Sequence, residues 1–83
     1  MRTNIKPYIL MGGKYIKQLK DDEMINFVEF VDVIKREIEQ EINRKLRYRE
    51  FQKLFYLLAG ILYKYKEYDA RYHNYLLSYV LEN

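Results

Sequence analysis

Residues 43–56 read NRKLRYREFQKLFY and carry five cations, Arg44, Lys45, Arg47, Arg49 and Lys53, against the single acid Glu50. Cations at that density can neutralise phosphates, and Tyr48 and Tyr56 beside them supply rings able to stack on bases, a combination useful on nucleic acid. Lys45, Arg49 and Lys53 are four apart, so wherever the segment is helical they form one ridge, with Arg44 and Arg47 on an adjoining strip. That ridge points away from the apolar residues Phe51, Leu54 and Leu58 and is expected to be exposed. The plainer reading is a solvated helix face, partly neutralised by Glu37, Glu39 and Glu41 upstream, or a docking site for a protein partner.

Other candidates for chemistry are thin. His73 is the only histidine and there is no cysteine, so one chain offers neither a two-His zinc pair nor a Cys–His pair. Glu37 and Glu41, at i and i+4, could hold a hard cation, and Glu29 with Asp32 could be pictured as an acid and a base. Both pairs fall on what reads as the wet side of a helix, whereas catalytic carboxylates need a cleft that shifts their pKa values. Residues 11–14, MGGK, supply only the Gly-Lys step of a phosphate-binding loop, whose full pattern is GxxxxGK followed by Ser or Thr after a strand. A non-enzymatic protein is therefore expected, with no catalytic residue, no metal, no cofactor and no small-molecule substrate.

A second feature is the tyrosine series at 56, 63, 65, 68, 72, 75 and 79. Tyr65, Tyr68, Tyr72 and Tyr79 keep the helical phase of the apolar residues and read as core edge. Tyr63 and Tyr75, with Leu77 and Leu81, fall off that stripe and would suit a partner surface or a two-fold homodimer, unless the N-terminal segment covers them.

The elements that must position these groups follow from periodicity. From Asp21 onward, Met24, Phe27, Val31, Ile34, Ile38 and Ile42 recur at three- and four-residue steps. The acids Asp21 and Asp22 suit a helix start, whose free N–H groups and dipole favour negative charge. A second stripe comprises Phe51, Leu54, Phe55, Leu58, Ile61, Leu62 and Tyr65. At about 100° per residue the first stripe centres near 210° and the second near 40°, so one straight helix would present them on opposite sides. A bend between residues 43 and 50 removes the conflict. Asp69 interrupts the later phase and could cap a new start, which predicts a soft break at 66–69. Gly60 reads as a close helix contact rather than a stop. Residues 1–20 admit two short extended runs about a Gly-Gly turn, or a loop leading into a short helix at 14–20.

The sequence thus predicts an all-α fold in one domain spanning residues 1–83. Its three principal helices lie near 22–43, 49–66 and 69–81, with an irregular or hairpin-like N-terminal segment. Among the 83 residues, acid and base segregate: residues 1–20 carry five bases and no acid, 21–43 eight acids and two bases, 44–66 seven bases and one acid. The apolar run at residues 8–11 is too short for a membrane span or a signal-peptide core. With no cysteine the chain suits a reducing, cytoplasmic setting. The helix-turn-helix signature, two brief helices about a Gly-containing turn, is absent. The function expected is that of a small regulatory or accessory binding protein that contacts nucleic acid through residues 44–53. The alternative is an inhibitor or immunity-type bundle using its Tyr-rich face and acidic first predicted helix on a protein partner.

Overall fold

The structure is a computed structural model that describes residues 6–81. The described chain is all-helical: α1 (Lys6–Gln18), α2 (Asp21–Ile42), α3 (Tyr48–Tyr65), a 3₁₀ turn (Ala70–Tyr72) and α4 (His73–Leu81). The three predicted helices correspond to α2, α3 and the 3₁₀ turn with α4. α1 is a fourth helix, and it corrects the irregular or hairpin reading of the N-terminal segment over residues 6–18; residues 1–5 of that segment lie outside the described residues. Pro7 is no obstacle because it stands in the first turn, where a helix needs no N–H donor. The two glycines make no turn, since neither has a positive φ.

Gly12 serves packing instead. A Cβ on Gly12 would run into the Tyr56 carbonyl of α3, and a Cβ on Gly60 would run into the Tyr8 backbone of α1. The two helices therefore cross with backbone against backbone, each supplying a glycine. Gly60 is a close contact, as its place inside a helical pattern suggests. Gly13, by contrast, faces open space, with nothing within 4 Å of a Cβ there.

The core is built from Phe27, Val31, Ile34 and Ile38 of α2, Leu54, Leu57, Leu58, Ala59 and Ile61 of α3, and Leu76 and Val80 of α4. α3 packs against all three other helices. This is why Leu57, off the predicted stripe, is buried: α1 covers the flank that a single-sided stripe would leave wet. At 22 residues α2 is about 33 Å long at 1.5 Å per residue, which matches the 33 Å long axis of the molecule. No described helix is long and apolar enough to cross a membrane.

Both predicted breaks occur. Asn43 closes α2 in the left-handed region at φ 57°, and Lys66 closes α3 there at φ 64°. Asp69 then opens the 3₁₀ turn: its Oδ1 accepts the Arg71 N–H at 2.9 Å, and its carbonyl accepts the Tyr72 N–H. Asp21 and Asp22 lie inside the first turn of α2 rather than at its cap. Glu23 closes that end by accepting the Lys20 N–H on Oε1 at 3.0 Å.

Candidate nucleic-acid interface

The basic segment occupies the connection between α2 and α3 and the first turns of α3. Two carboxylates hold this connection in one shape. Glu39, on the last turns of α2, accepts the Leu46 N–H on Oε2 at 2.8 Å, and its backbone carbonyl accepts the Arg44 N–H at 3.2 Å. Glu50, in the first turn of α3, is only 9% exposed. It takes both terminal nitrogens of Arg44, each at 2.9 Å, and accepts the Arg47 N–H at 2.8 Å. Arg44 Nη1 also donates to the Lys45 carbonyl.

These contacts set the charge states. The Arg44 guanidinium, with the Arg47 N–H second, holds the Glu50 carboxyl down to about 2. Glu50 in turn raises Arg44 above its ordinary value. The Leu46 N–H, helped by Lys35, lowers Glu39. A carboxylate that accepts several N–H bonds is held ionised. Such an ion pair fixes geometry more dependably than an exposed pair does, because its two-pronged contact leaves little freedom.

The predicted site residues fare differently. Arg44 pairs with Glu50 and fixes the connection, its side chain still 43% exposed. Lys45 lies in the non-helical connection and is exposed, so it shares no helical ridge with Arg49 and Lys53. Lys53 is half-buried, its Nζ 5.5 Å from the centre of the Tyr79 ring. Arg47, at the cap of α3, and Arg49, in its first turn, are exposed. Between them Tyr48 is 77% exposed. Tyr56 lies about two turns further along α3 from Arg49, with its ring edge-on to Phe55. Of the upstream acids, Glu39 pairs with Lys35 and Glu41 with His73 at 2.8 Å, and Lys45 lies near enough to Glu39 to help lower it without forming an ion pair. Among the described residues, Lys45, Arg47 and Arg49 make no side-chain ion pair.

The off-stripe partner set is also divided. Leu77 and Leu81 pack against the core. Tyr63 meets Tyr15 of α1 edge to face, and Tyr75 is exposed. The sequence missed a tyrosine cluster at the opposite end of α3, because it depends on α1 being a helix. Tyr8 and Tyr65 join hydroxyl to hydroxyl at 3.1 Å, Tyr72 lies 5.1 Å from Tyr65 ring to ring, and Lys64 reaches over both Tyr8 and Tyr65. The shared hydrogen bond pushes Tyr8 up to about 12 and lowers Tyr65. Glu50 was missed as a positioning residue too, although its place three residues after the Arg47 cap is a capping-box spacing.

Among the described residues, no group of three or more His, Cys, Asp or Glu side chains is placed to hold a metal ion. Comparison of this chain with protein-family models, curated proteins and solved structures finds no match.

Proposed function

We propose that this protein is a non-enzymatic nucleic-acid-binding protein that contacts its target through the α2–α3 connection. The observation that carries the reading is the exposure of Tyr48 between Arg47 and Arg49, with Lys45 beside them, on a connection that Glu39 and Glu50 hold rigid. Three cations that make no ion pair provide backbone neutralisation, and a solvated ring among them provides a stacking platform for an unpaired base. A preset connection also lowers the ordering cost of binding. Single-stranded nucleic acid is the target this pairing of ring and charge favours.

The test is fluorescence anisotropy with random-sequence single-stranded and duplex DNA and RNA at several salt concentrations. Salt-dependent binding that weakens on Lys45→Gln, Arg47→Gln and Arg49→Gln is the expected result. No binding at low salt overturns it.

A second reading, a protein-binding module, is favoured by one feature of α2. Its solvent side leaves Ile25 60% and Val33 51% exposed beside Glu29 and Asp32. Exposed aliphatic residues within an acidic face suit a basic, apolar protein partner.

A further inference from the structure

At the end of α2 remote from the basic connection, a solvent-open cleft of about 390 Å³ lies where α1, α2, α3 and the α3–α4 connection meet. Glu23 and Ile42 are separated by nearly the whole of α2, roughly 28 Å at 1.5 Å per residue, so this cleft is independent of the site proposed above. Its volume falls within the roughly 300–1,000 Å³ of small-molecule sites. Four of its walls are aromatic: Tyr15 from α1, Phe27 and Phe30 from α2, and Tyr68 from the connection. The rings stand at steep angles in pairs. Tyr15 meets Phe27 at 80° with centroids 5.8 Å apart, and Phe30 meets Tyr68 at 64° and 5.8 Å. The polar part of the lining is the Glu23 carboxylate and the Asn26 amide, and no lysine, arginine or histidine lines the cleft.

An aromatic lining with one carboxylate and no cation in it brings π-rich surface and a negative charge to the same small volume. We infer that this cleft binds an alkylammonium cation, a group whose charge is spread over methyl surface and which is attracted to ring faces without demanding hydrogen bonds. A strongly hydrated metal ion is a poor fit, because a single carboxylate supplies too few oxygens. An anion is opposed by Glu23 and by Asp21 and Asp22 in the same helical turn. Oε1 of Glu23 accepts the Lys20 N–H, which anchors the carboxylate at the cleft. The cleft is a ligand site, with nothing in its wall arranged for catalysis.

The experiment is an NMR titration of the full chain, with aromatic signals assigned, using tetramethylammonium chloride and choline at constant ionic strength. The neutral control is 3,3-dimethylbutanol, which has the shape of choline without its charge. Saturable shifts at Tyr15, Phe27, Phe30 and Tyr68 are expected, with millimolar affinity for the bare cation and binding of the neutral control about fivefold weaker or less. Glu23→Gln keeps a carbonyl for the Lys20 N–H and should weaken binding by about two- to fivefold. Tyr68→Leu should do the same, with circular dichroism verifying the helices. A short peptide carrying trimethyllysine distinguishes the source: tighter binding than choline assigns a protein-borne cation, and equal or weaker binding a free one. Shifts that fail to saturate, equal binding of the neutral control, or a folded Glu23→Gln variant with unchanged affinity each overturn the inference.

Discussion

Arg44 and Glu50 face each other across the α2–α3 connection with two hydrogen bonds of 2.9 Å, so one cation of the basic segment is committed to the shape of that connection. The pair has a pH signature. Because Glu50 is held down to about 2 in the folded protein, its contribution is fully present above its unfolded value near 4.3 and is lost as pH falls from there through about 2. Thermal unfolding from pH 7 to pH 2.5 should show a stability loss in that window that Glu50→Gln reduces. At pH 7 the same substitution should cost roughly 1.5–3 kcal/mol, the range for hydrogen bonds to a charged group. A pH profile identical in the two proteins would count against the clamp.

The helix crossing predicts opposite signs for neighbouring glycines. Gly60→Ala and Gly12→Ala force a methyl into backbone and should destabilise by roughly 1–3 kcal/mol or more. Gly13→Ala meets open space in a helix and should stabilise by about 0.5–1 kcal/mol. Urea denaturation of the three variants measures this, and equal effects at positions 12 and 13 would overturn the close crossing.

Lys66 ends α3 at φ 64°, a conformation that costs a residue bearing a Cβ about 1 kcal/mol. Lys66→Gly should therefore raise the unfolding midpoint in a thermal melt. A lowered midpoint would place the break elsewhere.

For nucleic acid, each neutralised phosphate contributes about −0.9 to the log–log salt slope on duplex DNA and about −0.7 on single strands. Lys45, Arg47 and Arg49 together give about −2.7 and −2.1, and their joint change to Gln should remove about 2 units of slope. Arg44→Gln should lower stability and leave the slope nearly intact. Tyr48→Ala should weaken single-strand binding at least about fivefold and leave duplex binding nearly unchanged. A slope indifferent to the triple change would return these side chains to the role of solvated surface.

The break at 43–50 was legible because the phase of a buried stripe records which side of a helix faces the core, and the break at 66–69 because Asp69 can cap a new start, which it does by accepting the Arg71 N–H. α1 was not legible. Pro7 and the Gly12–Gly13 pair carry helix-breaking propensities, and what overrides them is a contact with Gly60 far along the chain. Leu57 was missed for the same reason. In the candidate site, composition revealed the cations but not their orientation. Arg44 and Arg47 are alike in sequence, yet only Arg44 lies where the Glu50 carboxylate can take both its nitrogens. The cleft was invisible because Tyr15, Phe30 and Tyr68 belong to three different elements.

The crossing of Gly12 on Gly60 also bears on the order of events as the chain folds. Contacts between α2 and α3 close over a short connection, whereas seating α1 on α3 closes a long stretch of chain and gains nothing until α3 is in place. The α2–α3 hairpin is thus the expected nucleus, and α1 the segment that locks it afterwards. If so, Gly60→Ala will show its cost almost entirely in a faster unfolding rate, with the folding rate nearly that of the parent chain. A stopped-flow chevron in which the folding arm slows instead would make α1 part of the nucleus.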